Sequence, residues 1–230
     1  GADITRLMTT AIKALEGRTA ESLESTGEDL FARKIAGMIF PGARALVESH
    51  EAKGHTVVIA SSATPPQIGP AAADLGITYI LATEYEVDDQ GIITGNIKGD
   101  IKWGLGKAAA IAEFAAEHDI DLGESFGYTN GAEDLPMLEI VGRPRPLNHD
   151  EALANLARER GWPTSQLFHP KSIGPVAVMR SLGAYASLGF GVAAGVGTAL
   201  LNRSRRDGAN VAASVGADLA LAAGGVTMNV

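Results

Sequence analysis

The 230-residue chain contains no cysteine, which removes disulfides, thiolate metal sites and cysteine nucleophiles together and suits a cytoplasmic protein. Aromatic residues are scarce at 5%, yet 46% of the residues are apolar and 20% charged, so the composition is globular rather than disordered or fibrous. Basic charge is also short. Nineteen Lys and Arg stand against 27 Asp and Glu, a net charge of -8 that argues against a nucleic-acid partner. The start lacks the basic segment and apolar run of a secretory signal, and residues 1–20 pattern instead as an amphipathic helix. The first residue is Gly1, and the chain reads as a fragment of a longer protein. No complete nucleotide-binding loop is present: Gly104-Leu105-Gly106-Lys107 lacks the first glycine and is followed by Ala108. The HExxH motif of zinc proteases is missing too.

What is there divides unevenly. Residues 171–230 carry Lys171, Arg180, Arg203, Arg205 and Arg206 against Asp207 and Asp218, a local charge of +3 that leaves -11 for residues 1–170. Two differently built regions follow. In the first, Ile4, Leu7, Met8, Ile12 and Leu15 share one helical face, and residues 1–38 read as a helical pair. Pro41 opens a third helix that Gly54 ends. Strands are expected at Thr56–Ala60, Tyr79–Leu81, Ser125–Thr129 and Pro144–Leu147, with a hairpin from Tyr85 to Thr94 around Gln90-Gly91. Helices over Pro65–Leu75, Gly106–His118, Glu133–Ile140 and Glu151–Arg160 separate them, which predicts an α/β fold with a mostly parallel sheet covered on both faces. Ligands of such sheets sit at the carboxyl ends of strands, so the polar residues after Ala60 and Tyr128 draw attention.

Beyond Pro170 the chain becomes Gly/Ala-rich, with an uncharged stretch of 22 residues from Ser181 to Asn202. Leu182, Tyr185, Leu188 and Val192 fall along one helical face. A bilayer span, an interfacial or domain-docking helix and a linker all remain open for it, the last two fitting its weak apolarity better than the first. Membrane association would then run through residues 181–206, with the arginine cluster near anionic lipid.

Three pieces carry chemistry. Ser61 and Ser62 follow the first buried strand, Lys107 enters a helix after a glycine-rich turn, and Thr129-Asn130-Gly131-Ala132-Glu133-Asp134 closes a later strand. Each alone is commonplace: serines after strands are usually turn residues, helix-entry lysines are usually solvated, and acids before helices usually complement the helix dipole. Jointly, a hydroxyl, a lysine and an acidic loop at strand ends suit a phosphoryl group and a divalent cation.

In this combination the stretch from about Phe40 to Phe168 resembles the haloacid dehalogenase superfamily, in its phosphoserine-phosphatase-like branch. The closing segment from Val141 to Asp150, with Arg158-Glu159-Arg160-Gly161-Trp162-Pro163, is similar to that branch, and the two helices before Phe40 resemble its helical cap. The resemblance implies a Rossmann-like core over 41–168, a partial cap over 1–40 and a linker or membrane-proximal tail over 169–230. It implies magnesium-dependent hydrolysis of a small phosphomonoester through an aspartyl-phosphate, with Ser61, Ser62 and Lys107 on the phosphate and Asn130 and Asp134 at Mg2+. Two departures qualify it. The family's nucleophile motif, DxDx[TV] at the end of the central strand, is absent. Asp119-Ile120-Asp121-Leu122-Gly123 follows a helix and ends on glycine, and Gly1-Ala2-Asp3-Ile4-Thr5 has Gly1 in the nucleophile's place. Asn130 stands where the family has a metal-binding aspartate, removing a full charge. The strand of Ser61 and the strand of Tyr128 are accordingly expected to flank a gap or to collapse together, and the chain alone is expected to be inactive. The tail also resembles fusions in which such a domain precedes a 1-acylglycerol-3-phosphate acyltransferase, although no His-x4-Asp motif occurs here. A non-catalytic domain that docks or regulates that acyltransferase is therefore the alternative reading.

Overall fold

The computed structural model describes residues 4–168 and, beyond them, the backbone of two strands at 196–201 and 212–216. Helices α1 (Ile4–Lys13) and α2 (Ala20–Leu30) come first, and a π-helical turn at Phe31–Ile35 leads from them to α3 (Pro41–Glu51). Strand β1 (Val57–Ser61) and β2 (Tyr79–Leu81) are parallel and joined by α4 (Pro65–Asp74). After the antiparallel hairpin of β3 (Glu84–Val87) and β4 (Ile93–Lys98) come α5 (Leu105–Glu117), β5 (Phe126–Thr129), α6 (Leu135–Ile140), β6 (Arg143–Pro146) and α7 (Glu151–Arg160).

Every residue of β1 is buried because helices cover both faces of the sheet. Val57 and Ile59 join a cluster with Ala43, Val47, Ile68 and Ala71 of α3 and α4, whereas Val58 and Ala60 join Ile111, Met137, Leu138 and Leu153 of α5, α6 and α7. This is the two-residue alternation of a strand sandwiched between helices. Local chemistry starts and stops those helices. Gln67 Oε1 accepts from Thr64 N–H at 2.7 Å ahead of α4, the Asp150 carboxylate accepts from Leu153 N–H at 2.7 Å ahead of α7, and Gly161 ends α7 at φ 66°.

The hairpin, which chain order places within the core range, packs instead on the first two helices. Ile93 N–H donates to the Arg18 carbonyl at 2.9 Å, Gly17 N–H to the Ile93 carbonyl at 3.0 Å, and Ala20 N–H to the Gly91 carbonyl at 2.9 Å. Leu15, Leu23 and Ile93 form a small core of their own with Tyr85 against it. The cap-like unit thus combines two separate pieces of chain.

The order across the main sheet is β2-β1-β7-β5-β6, where β7 is Val196–Leu201. It runs antiparallel between β1 and β5, with Ser61 opposite Val196 and Tyr128 opposite Thr198, and β8 (Ala212–Gly216) pairs with it in turn. The strands of Ser61 and Tyr128 therefore stand one strand apart, and neither expected outcome, an open gap or a collapse, occurs. The helix expected over 181–202 is corrected at its end: 196–201 are extended, and the remainder, with Arg203, Arg205 and Arg206, lies outside the described residues. The reason is backbone satisfaction. The facing edges of β1 and β5 present two rows of N–H and C=O groups, which an extended segment pairs on both sides and a helix would leave unpaired. Among the described residues no helix is long and apolar enough to cross a membrane.

One close approach sets up β6. A Cβ on Gly142 would overlap the Gly123 carbonyl oxygen, while Gly142 N–H donates to the Leu122 carbonyl at 2.8 Å. Gly142→Ala is expected to cost about 1–3 kcal/mol by overpacking. Gly37→Ala, whose Cβ meets nothing within 4 Å, is the control expected to unfold like the parent. Thermal unfolding of the three proteins checks this, and equal midpoints would refute it.

Candidate active site

The carboxyl ends of β1 and β5 bring the candidate residues to one edge of the sheet. Two strand spacings separate them, roughly 10 Å. Ser61 is fully buried, and its Oγ accepts from Ala63 N–H at 3.0 Å, which tightens the turn out of β1. Ser62 is equally buried, and its Oγ has no hydrogen-bond partner among the described residues.

Lys107 enters the site because of the turn before it. Gly104 sits at φ 51°, and a Cβ on Gly106 would overlap the Ile101 carbonyl oxygen, so this tight entry into α5 requires glycine. The Lys107 side chain is 0% exposed and lies 2.6 Å from Asp134 Oδ1, which is itself 0% exposed. The two form an ion pair, and the ammonium, with three N–H groups, keeps donor capacity that no other described residue takes up. Thr129 Oγ1 donates to the other carboxylate oxygen, Oδ2, at 2.7 Å. Lysine, carboxylate and hydroxyl thus form a buried, charge-balanced triad between α5, β5 and the turn before α6.

The neighbouring loop is laced to the same place. Leu147 N–H donates to the Thr129 carbonyl at 2.7 Å and Asp150 N–H to the Asn130 carbonyl at 2.8 Å. The Glu133 carboxylate folds back over Gly131, where any Cβ would strike it. Burial pushes the Glu133 carboxyl up, its own backbone N–H opposes that, Asp134 and Asp150 raise it further, and Lys107 offsets part of the rise.

Lys107 and Asp134, assigned separately to phosphate and metal, are each other's partner. Thr129, which carried no role, is the hydroxyl that orients Asp134; its five-residue offset from that aspartate was the available signal. The described residues do not by themselves fit a magnesium ion. Both oxygens of Asp134 are engaged, position 130 carries an amide, and no group of three His, Asp or Glu able to hold a metal occurs among the described residues.

Residues 1–139 match the model of the haloacid dehalogenase-like hydrolase family. A phosphoserine phosphatase of Mycobacterium tuberculosis is 37% identical over 153 residues, covering 66% of this chain and 49% of that protein. A histidinol-phosphatase of Neisseria meningitidis is 31% identical over 164 residues, covering 70% and 74%. The crystal structure of a protein with unknown function from Bordetella pertussis shares the fold at a TM-score of 0.64 and 24% identity, over 71% of this chain and 74% of that one. The chain spans about half the length of the mycobacterial and streptomycete relatives it matches.

Proposed function

The chain belongs to the haloacid dehalogenase-like hydrolase family, and from that premise we propose that its site receives the phosphoryl group of a small phosphomonoester and serves its hydrolysis. One observation carries this reading: the Lys107 ammonium at the start of α5 and the Ser62 hydroxyl just after β1 are both fully buried, and beyond the pairing of Lys107 with Asp134 both keep hydrogen-bond capacity that no described residue uses. Buried donors of that kind are costly without an acceptor, and a phosphoryl oxygen is an acceptor of the matching charge.

Ser62, with the turn held by Ser61, donates to the phosphoryl oxygens, and Lys107 offsets their charge. Asp134 and Thr129 hold the lysine in place. Attack on phosphorus needs a carboxylate nucleophile, which in this family comes from DxDx[TV]; these 230 residues do not contain that motif. Magnesium meets an incomplete set of donors here, with the Asn130 amide as the neutral oxygen nearest the family position, so no step of the proposal runs through it. A second reading, a non-catalytic domain that docks or regulates a fused acyltransferase, draws on the same two features, the missing motif and Asn130.

The chain alone is expected to bind inorganic phosphate and to release none from O-phosphoserine, histidinol phosphate or p-nitrophenyl phosphate. A protein extended by a strand bearing DxDx[TV] is expected to regain turnover. Calorimetric titration with phosphate and a phosphate-release assay on both proteins test this. Phosphate binding without turnover in the extended protein would favour the docking domain, and absence of phosphate binding in both would remove the proposal.

A further inference from the structure

At the opposite end of β1 from Ser61, two histidines meet. His50 lies in the last turn of α3, 5% exposed, and His55 lies two residues before β1. Their Nδ1 atoms are 2.7 Å apart, and His50 Nε2 is 3.1 Å from the Tyr128 hydroxyl of β5. The His50 ring also meets Phe126 and Tyr128 edge-on, with centroids at 5.2 Å and 5.8 Å. This polar contact ties the end of α3 to the sheet.

The proton count of the pair limits what it tolerates. Two nitrogens at 2.7 Å share one proton, one donating and the other accepting. A single added proton is accommodated, because a charged His55 still donates from Nδ1 to the bare Nδ1 of His50. A second leaves two N–H groups facing each other and two positive rings in contact. The surroundings worsen that state. Lys53 follows α3, Arg143 and Arg145 of β6 lie over the Phe126 ring, and Arg143 pairs with Glu124. The Tyr128 hydroxyl offers no charge to oppose them: burial holds it up at about 12. Burial first, then His55 and Lys53, bring His50 down to about 4, and burial, Lys53 and Arg143 lower His55. The same cations make the pair a poor metal site, which the lack of a third ligating side chain among the described residues reinforces.

We propose that His50 and His55 form an acid-sensitive latch that holds the end of α3 against β5, and that protonation of both rings releases it. The release is local, at α3 and the entry to β1, and is independent of any role of the phosphoryl site.

The test is amide hydrogen exchange across residues 45–56 at pH 7 and pH 4.5, corrected for intrinsic rates, in the full chain and in His55→Gln. Glutamine still accepts from His50 and takes no charge. The parent is expected to lose protection in this segment on acidification by roughly tenfold more than the variant, the equivalent of one pKa unit of differential protonation. Equal losses would overturn the latch. Should His55→Gln fail to fold, the imidazole resonances of the unaltered chain decide. Titration of His50 well below the ordinary histidine range, together with loss of protection, supports the proposal; titration near 6.5 with unchanged protection refutes it.

Discussion

Asp134→Ala is expected to lower the free energy of unfolding by about 3–5 kcal/mol, the cost of removing one partner from a buried ion pair. Both side chains of the pair are 0% exposed, so neither water nor another described side chain replaces the lost carboxylate for Lys107. Thr129 Oγ1 loses its acceptor in the same step. Thr129→Val removes only that hydroxyl and should cost about 1 kcal/mol. The double variant Lys107→Met with Asp134→Leu should recover most of the loss, because a buried pair exchanged for apolar groups of similar volume is often neutral or stabilising. Urea unfolding of the parent, Lys107→Met, Asp134→Leu and the double variant measures the coupling directly, with Asp134→Ala and Thr129→Val read beside them. A loss under about 1 kcal/mol in Asp134→Ala would mean that water reaches the pair and that the described burial is wrong.

Lys107→Met is expected to weaken binding of inorganic phosphate by about 10²-fold or more, in the range for deleting one member of a buried charged contact. Here the effect has two parts: the cation that faces the anion is gone, and the Asp134 carboxylate left behind repels it. Lys107→Arg should not rescue binding, since a planar guanidinium needs width that a fully buried ammonium site lacks. Comparison with the double variant separates folding from recognition. Lys107→Met with Asp134→Leu should be folded yet blind to phosphate. If calorimetry finds its phosphate affinity equal to the parent's, Lys107 does not touch the anion, and the proposed use of the site fails with it.

Much of the core was legible because its signals are local. The buried run of Val57 to Ser61, the prolines opening α4, Asp150 ahead of α7 and Gly161 behind it each act within a few residues, and the elements lie where they predict. The misplaced parts depend on distant partners. The extended state of Val196–Leu201 reflects two strand edges more than 65 residues away in sequence, whereas its own neighbourhood is Gly/Ala-rich with helical spacing. The attachment of the β3–β4 hairpin to α1 and α2 likewise joins residues some seventy positions apart, Ile93 to Gly17 and Arg18. At the site, residue types disclosed that Lys107 and Asp134 have charged work to do. Sequence spacing could not disclose that they do it on each other, because a helix entry and a turn after another strand have no common period.

The outer margin of the sheet bears on how the protein behaves when crowded with copies of itself. Arg143 and Leu147 donate inward to the Ser125 and Thr129 carbonyls, so alternation turns the backbone of positions 144 and 146 outward, and both are prolines with no N–H to offer. Their carbonyls are already spoken for: Arg145 Nη1 donates to Pro144 O at 3.1 Å, and Ser165 N–H to Pro146 O at 2.9 Å. An incoming strand would find neither donors nor open acceptors on β6, and two guanidinium groups beside them. Edge-to-edge stacking into aggregates is blocked at that margin, and the opposite one, the three-residue β2, is too short to template it.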